Sequence, residues 1–135
     1  MAPEFDPGSQ AGEALLSHLD MDVMEQLLSL DDGELGLLEE MLVLYTEDTP
    51  DRIRAIETTL GTGEMTDMAD VAHAIKGSAG TMGAPKVRAV AALLEGAGRQ
   101  GKWEQPPDVL LAQLKQAYAD SVAALEAFVA AKKVQ

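Results

Sequence analysis

The chain has 135 residues, enough for one domain around a single buried core. Its net charge of −13 disfavours nucleic acid and anionic membranes as partners. It has no cysteine, which excludes disulfides, thiolate nucleophiles and thiolate metal sites. Apolar residues make up 47% of the sequence, yet the aromatic residues are only one Trp, two Tyr and two Phe. Much of the remaining apolar content is Ala, Leu and Met, a mixture that favours helix over sheet. No apolar run approaches the roughly 18 residues of a membrane span, and no basic-then-apolar opening suggests a signal peptide. A cytoplasmic protein, or a soluble piece of a larger one, is expected. The charge is unevenly spread: residues 1 to 72 hold 18 acidic and 2 basic side chains, whereas residues 73 to 102 hold one acid, Glu95, and five bases.

The opening MAPEFDPGSQ has Pro, Gly and Ser without periodicity. Residues 1 to 12 are read as a disordered leader or cloning remnant, and residues 13 to 135 as the domain. Met21 to Leu30 is a short amphipathic segment. Asp31 or Asp32 can cap a longer helix running to about Asp48, with Leu35, Leu38, Met41, Leu42 and Tyr45 at helical spacing. Thr49 followed by Pro50 looks like a new helix start, giving a helix with Ile53, Ile56 and Leu60 on one side that stops at residues 61 to 63, GTG. Thr66 is placed to cap the next helix, which carries His73. Pro85 opens another, closed by Gly101. The stretch QPPD (105 to 108) starts a last long helix with a stripe of Leu111, Leu114, Tyr118, Val122, Leu125 and Phe128. Apolar stripes on helices joined by short loops predict an all-α, up-and-down antiparallel bundle.

At about 100° per residue, Met68, Ala72, Ile75, Ala79 and Met82 share one face of the His73 helix and can enter the core. His73, Lys76, Gly77 and Gly80 share the opposite face, so the imidazole points to solvent. Lys76, one turn after His73, can reach an anion held on the ring. A glycine inside a helix costs about 1 kcal/mol relative to alanine, so Gly77 calls for a reason. With Gly80 it leaves bare backbone beside the ring, where a bulky partner can approach. Gly83, just before Ala84 and Pro85, is read as the helix terminator.

These residues, HAIKGSAGTMG preceded by DVA and followed ten residues later by LLEGAGRQG, resemble the histidine-containing phosphotransfer (HPt) domains of multistep two-component signalling. The family pattern HxxKGxxxxxG is met by His73, Lys76, Gly77 and Gly83, and the likeness covers about residues 20 to 130. The resemblance implies an antiparallel four-helix bundle with additional short helices. It implies that His73 accepts a phosphoryl group from the aspartyl phosphate of a response-regulator receiver domain and passes it to another receiver. Lys76 would orient or neutralise the phosphate, and Gly77 would clear space for the docking receiver. Ser78, Gly80 and Asp70 would stand behind the site or contact the partner. Expected partners are receiver domains and a hybrid sensor histidine kinase, with the protein itself a monomer. No cofactor of its own is expected, Mg2+ belonging to the receiver's site, and the sequence offers no carboxylate cluster around His73 to hold it.

The phosphotransfer domain of a chemotaxis-type kinase shares the HxxKG string but takes phosphate from a kinase domain, and the sequence leaves the two donors open. A sensor-kinase dimerisation domain fits less well, because Ala74 stands where an acid would follow the histidine and Gly77 where a proline is expected. With no glycine-rich nucleotide-binding region, no self-phosphorylation from ATP is expected. Asp70 and His73 have the i, i+3 spacing of a bundle metal site, but a di-iron site needs that motif twice and His18, in LSHLD, lacks such a partner. A helical interaction module without chemistry is the remaining alternative.

Overall fold

The structure is a computed structural model that describes residues 8 to 134, so most of the presumed leader lies outside the described residues. Those described form six helices: α1 (Gln10–Leu16), α2 (Met21–Leu30), α3 (Gly36–Thr62), α4 (Met65–Thr81), α5 (Pro85–Gln100) and α6 (Pro107–Lys133). No strand occurs among them. Helices α3 to α6 follow one another through short connections, and α3 packs on α4, α4 on α5, α5 on α6, and α6 back on α3. That ring of neighbours joined by short loops is an antiparallel four-helix bundle. Helix α1 packs on α6, and α2 on α3.

Helix lengths decide how the core is divided. Helices α3 and α6 have 27 residues each, α4 has 17 and α5 has 16, so at 1.5 Å per residue the first pair is roughly 40 Å long and the second roughly 25 Å. Helices α4 and α5 therefore cover only part of the long pair. Under them lies a core of Ile53, Ile56, Met68, Ile75, Leu94 and Leu114. Beyond them, α2 helps cover a second core of Met24, Leu27, Leu38, Tyr45, Leu125 and Phe128. Tyr118 packs against both cores, and its ring centroid lies 5.3 Å from that of Tyr45. The Tyr45 hydroxyl and Ser121 Oγ are 2.8 Å apart, and Ser121 donates its own proton to the Tyr118 carbonyl at 2.7 Å, so Tyr45 is the donor in that pair.

Several local expectations are revised. Pro50 does not begin a helix but sits inside α3. A proline there forgoes the bond to the Thr46 carbonyl, yet the helix continues because Tyr45, Thr49, Ile53 and Ile56 form one uninterrupted buried stripe. Helix α3 starts at Gly36, with Leu35 at the N-cap, and not directly after the aspartates. Asp31 still serves its N-terminus, since Oδ2 accepts the Leu37 N–H at 3.0 Å while Asp31 itself ends α2. Thr66 does not cap α4, which begins one residue earlier at Met65, behind Glu64. Helix α1 begins at Gln10, ahead of the expected domain boundary, with Ser9 Oγ accepting the Gly12 N–H at 3.0 Å.

Candidate functional site

The site begins with how α4 ends and α5 starts. Gly83 has φ +68, a conformation glycine adopts without penalty. A Cβ there would lie 3.1 Å from both the Val23 and Met24 side chains and 3.2 Å from the Asp20 carbonyl. The Gly83 carbonyl accepts the Asp20 N–H at 2.8 Å, so this turn also seats α2. It reverses the chain in three residues and lays α5 back along α4. Further along, Gly98 permits the closest approach of the two helices: a Cβ there would meet the Met65 carbonyl oxygen at 2.7 Å and Ala69 Cβ at 2.8 Å.

That close packing brings Glu95 of α5 to the exposed face of α4. Its Oε2 lies 2.7 Å from His73 Nδ1, and its Oε1 accepts from Lys76 Nζ at 2.5 Å. Arg99, one turn on, pairs with Asp70 at 2.9 Å and lies 3.9 Å from Glu95 Oε2. One carboxylate is thus shared among three nitrogen groups. The hydrogen bond from Lys76 holds the Glu95 carboxyl below the usual carboxylate range, partial burial opposes that, and the His73 bond adds to the lowering. An ionised carboxylate only accepts, so Nδ1 carries the ring proton toward Glu95, and the lone pair of the neutral ring is on Nε2. The His73 side chain is 65% exposed, against 15% for Glu95: a fixed carboxylate anchors a ring that reaches solvent.

The expected face is largely assembled. His73, Lys76, Gly77 and Gly80 line one groove of about 880 Å³ with Arg88, to which Val23 of α2 and Asp20 at its N-cap are added. Nothing lies within 4 Å of a Cβ added at Gly77, so the backbone beside the ring is bare there. Gly80 differs, being covered by the Arg88 stem, whose Cδ and Nε lie 3.6 Å from an added Cβ. Ser78 is on the other flank of α4, where its hydroxyl accepts from Arg52 Nη1 at 2.9 Å. Asp70 pairs with Arg99 and not with His73. Among the described residues no group of three or more potential metal ligands gathers. His18 lies elsewhere, its Nδ1 3.2 Å from Lys86 Nζ.

Glu95 is the site residue that sequence reasoning missed. A signal existed, since it is the one acid among five bases between residues 73 and 102, but its reach to His73 depends on how two helices pack.

Comparison with known proteins places the fold in a family. The family model described as Hpt domain matches residues 40–128. Among solved structures, the chain is similar to histidine-containing phosphotransfer protein B (HptB) from Pseudomonas aeruginosa PAO1, with 25% identity and a TM-score of 0.72 over 81% of this chain and 91% of that one. No curated protein matches the chain.

Proposed function

The chain belongs to the Hpt domain family, whose work is histidine phosphotransfer in two-component relays, and from that premise we propose that His73 takes the phosphoryl group from the aspartyl phosphate of one receiver domain and hands it to another. The observation that carries this reading is the Glu95 carboxylate 2.7 Å from Nδ1 of a largely exposed imidazole. It supports the tautomer that leaves Nε2 as the nucleophile, on a residue that lines the open groove.

The step balances without a base. The Nε2 lone pair attacks phosphorus, the N–P bond forms as the P–O bond to the aspartyl carboxylate breaks, and that carboxylate leaves with the electron pair. Nδ1 keeps its proton, so the ring becomes cationic as it is phosphorylated, and Glu95 is already in place to balance that charge. Lys76 offers its ammonium to the phosphoryl oxygens from one turn along α4. Gly77 lets the donor approach the backbone closely. Transfer onward is the same step reversed, with the next receiver's aspartate attacking phosphorus. The Mg2+ that such transfer needs belongs to the receiver. The protein works as a monomer in the cytoplasm in this reading; no described helix is long and apolar enough to cross a membrane.

A ³²P-labelled phosphoreceiver mixed with this protein and Mg2+ tests the proposal. The protein should take up label in an acid-labile, base-stable form that His73→Gln abolishes and His18→Gln leaves intact. Label persisting on the His73 variant contradicts the proposal. Offering a chemotaxis-type kinase domain with ATP in parallel identifies the donor: loading by that kinase alone replaces the receiver as source while keeping His73.

A further inference from the structure

The groove beside His73 holds a cation that the phosphotransfer step does not use. Of the five bases between residues 73 and 102, Lys76 is bound to Glu95, Arg99 to Asp70, and Lys86 meets His18. Lys102 lies past the end of α5 beside Trp103, outside the His73 groove. Arg88 is exposed and lines the groove, and among the described residues no hydrogen bond or ion pair engages its guanidinium.

Its position is nonetheless defined. The Arg88 stem lies over Gly80 in ordinary van der Waals contact, so any side chain larger than a methyl at position 80 would displace it. This gives Gly80 a reason distinct from that of Gly77: one glycine seats an arginine, the other leaves backbone open. Gly80 is seven residues after His73, roughly 10 Å along the helix axis, so Arg88 stands apart from the reacting nitrogen. The groove's carboxylate, Asp20, is turned to its own helix, where Oδ1 accepts the Asp22 and Val23 N–H groups at 3.0 and 3.4 Å.

We infer that Arg88 is a docking residue, pairing with a carboxylate on the acidic face of the phosphodonor receiver, and that it governs which receiver binds and not how fast phosphorus moves. The inference rests on the phosphotransfer reading. A donor that carries its phosphoryl group on an aspartate and holds Mg2+ through further oxygen ligands presents an anionic face around the reacting atoms. On a protein of net charge −13, a free guanidinium lining the same groove as the nucleophile is the complementary contact. Arginine suits it, because its planar fork binds carboxylate through two parallel hydrogen bonds.

The test uses the receiver domain that loads the wild-type protein in the assay above, charged with ³²P, and measures transfer rate against receiver concentration. Arg88→Glu should raise KM by about tenfold or more while kcat stays within about twofold, and the KM of the variant should respond less to added NaCl. Arg88→Lys, which keeps the charge, should recover most of the affinity. Lys76→Ala should instead lower kcat. Matched thermal melts of the variants exclude unfolding as the cause. A KM for Arg88→Glu within about twofold of wild type, or a loss confined to kcat, overturns the docking role. If no receiver loads the wild type, the receiver-donor reading fails and this inference with it, an outcome visible before any variant is made.

Discussion

Glu95 turns an exposed histidine into a directed one. Without it His73 would exchange tautomers in water and Lys76 would have no fixed position; with it, one nitrogen is proton-bearing and the other is aimed outward. The HxxKG string made His73 and Lys76 legible in the sequence because their spacing lies within one helix. Glu95 was not legible, because it is 22 residues away on another helix and its contact depends on the α4–α5 packing. Its acidity gives a check. The folded state lowers the Glu95 pKa from the ordinary value of 4.5, so its ion pairs stabilise the fold above that value and are lost as pH falls through the depressed one. Glu95→Gln should therefore be less stable than wild type at pH 7, and the difference should vanish in strong acid, where the wild-type carboxyl is also neutral. Denaturant midpoints measured from pH 7 downward decide it: a gap independent of pH would mean that packing, and not charge, is what the substitution removes.

Helix boundaries show where local signals lose to packing. Pro50 has every mark of a helix start, but the cost of about 3 kcal/mol for an interior proline is outweighed by a stripe from Tyr45 to Ile56 that is buried only if α3 stays whole. The Gly83 and Gly101 stops were readable because each adopts a positive φ, a requirement stated by residue type. Gly77 and Gly98 are both helix-interior glycines, yet their surroundings are opposite. Nothing lies within 4 Å of a Cβ at Gly77, whereas at Gly98 the Met65 carbonyl oxygen would be 2.7 Å away. Gly77→Ala should stabilise the protein by up to about 1 kcal/mol, and Gly98→Ala should cost about 1–3 kcal/mol as the helices are forced apart. Thermal melts of the two variants compare them directly, and equal effects would refute this account of the α4–α5 contact. A larger group such as Gly77→Gln should keep the fold and sharply lower phosphotransfer.

For the whole molecule, two long helices form a frame, and the two shorter ones carry the His73 groove across part of it. Helices α1 and α2 fill the remainder, and the Gly83 turn ties α2 to the end of α4. The sequence conveyed the all-helical bundle through its apolar stripes and the uneven charge through its counts, but not the unequal cover of the frame, which follows from the continuity of α3. Most acids lie before residue 73, whereas Lys76, Lys86, Arg88 and Arg99 lie on α4 and α5, so under the proposed function an acidic partner is drawn toward the His73 face. The rigid bundle should then hold the imidazole unchanged through the reaction. The most direct measurement is ¹⁵N–³¹P NMR of the protein after charging by a phosphoreceiver. The account predicts one phosphorus coupled to Nε2 of His73, with backbone shifts confined to the groove between α4 and α5. Phosphorus on Nδ1, or on any residue other than His73, would contradict it.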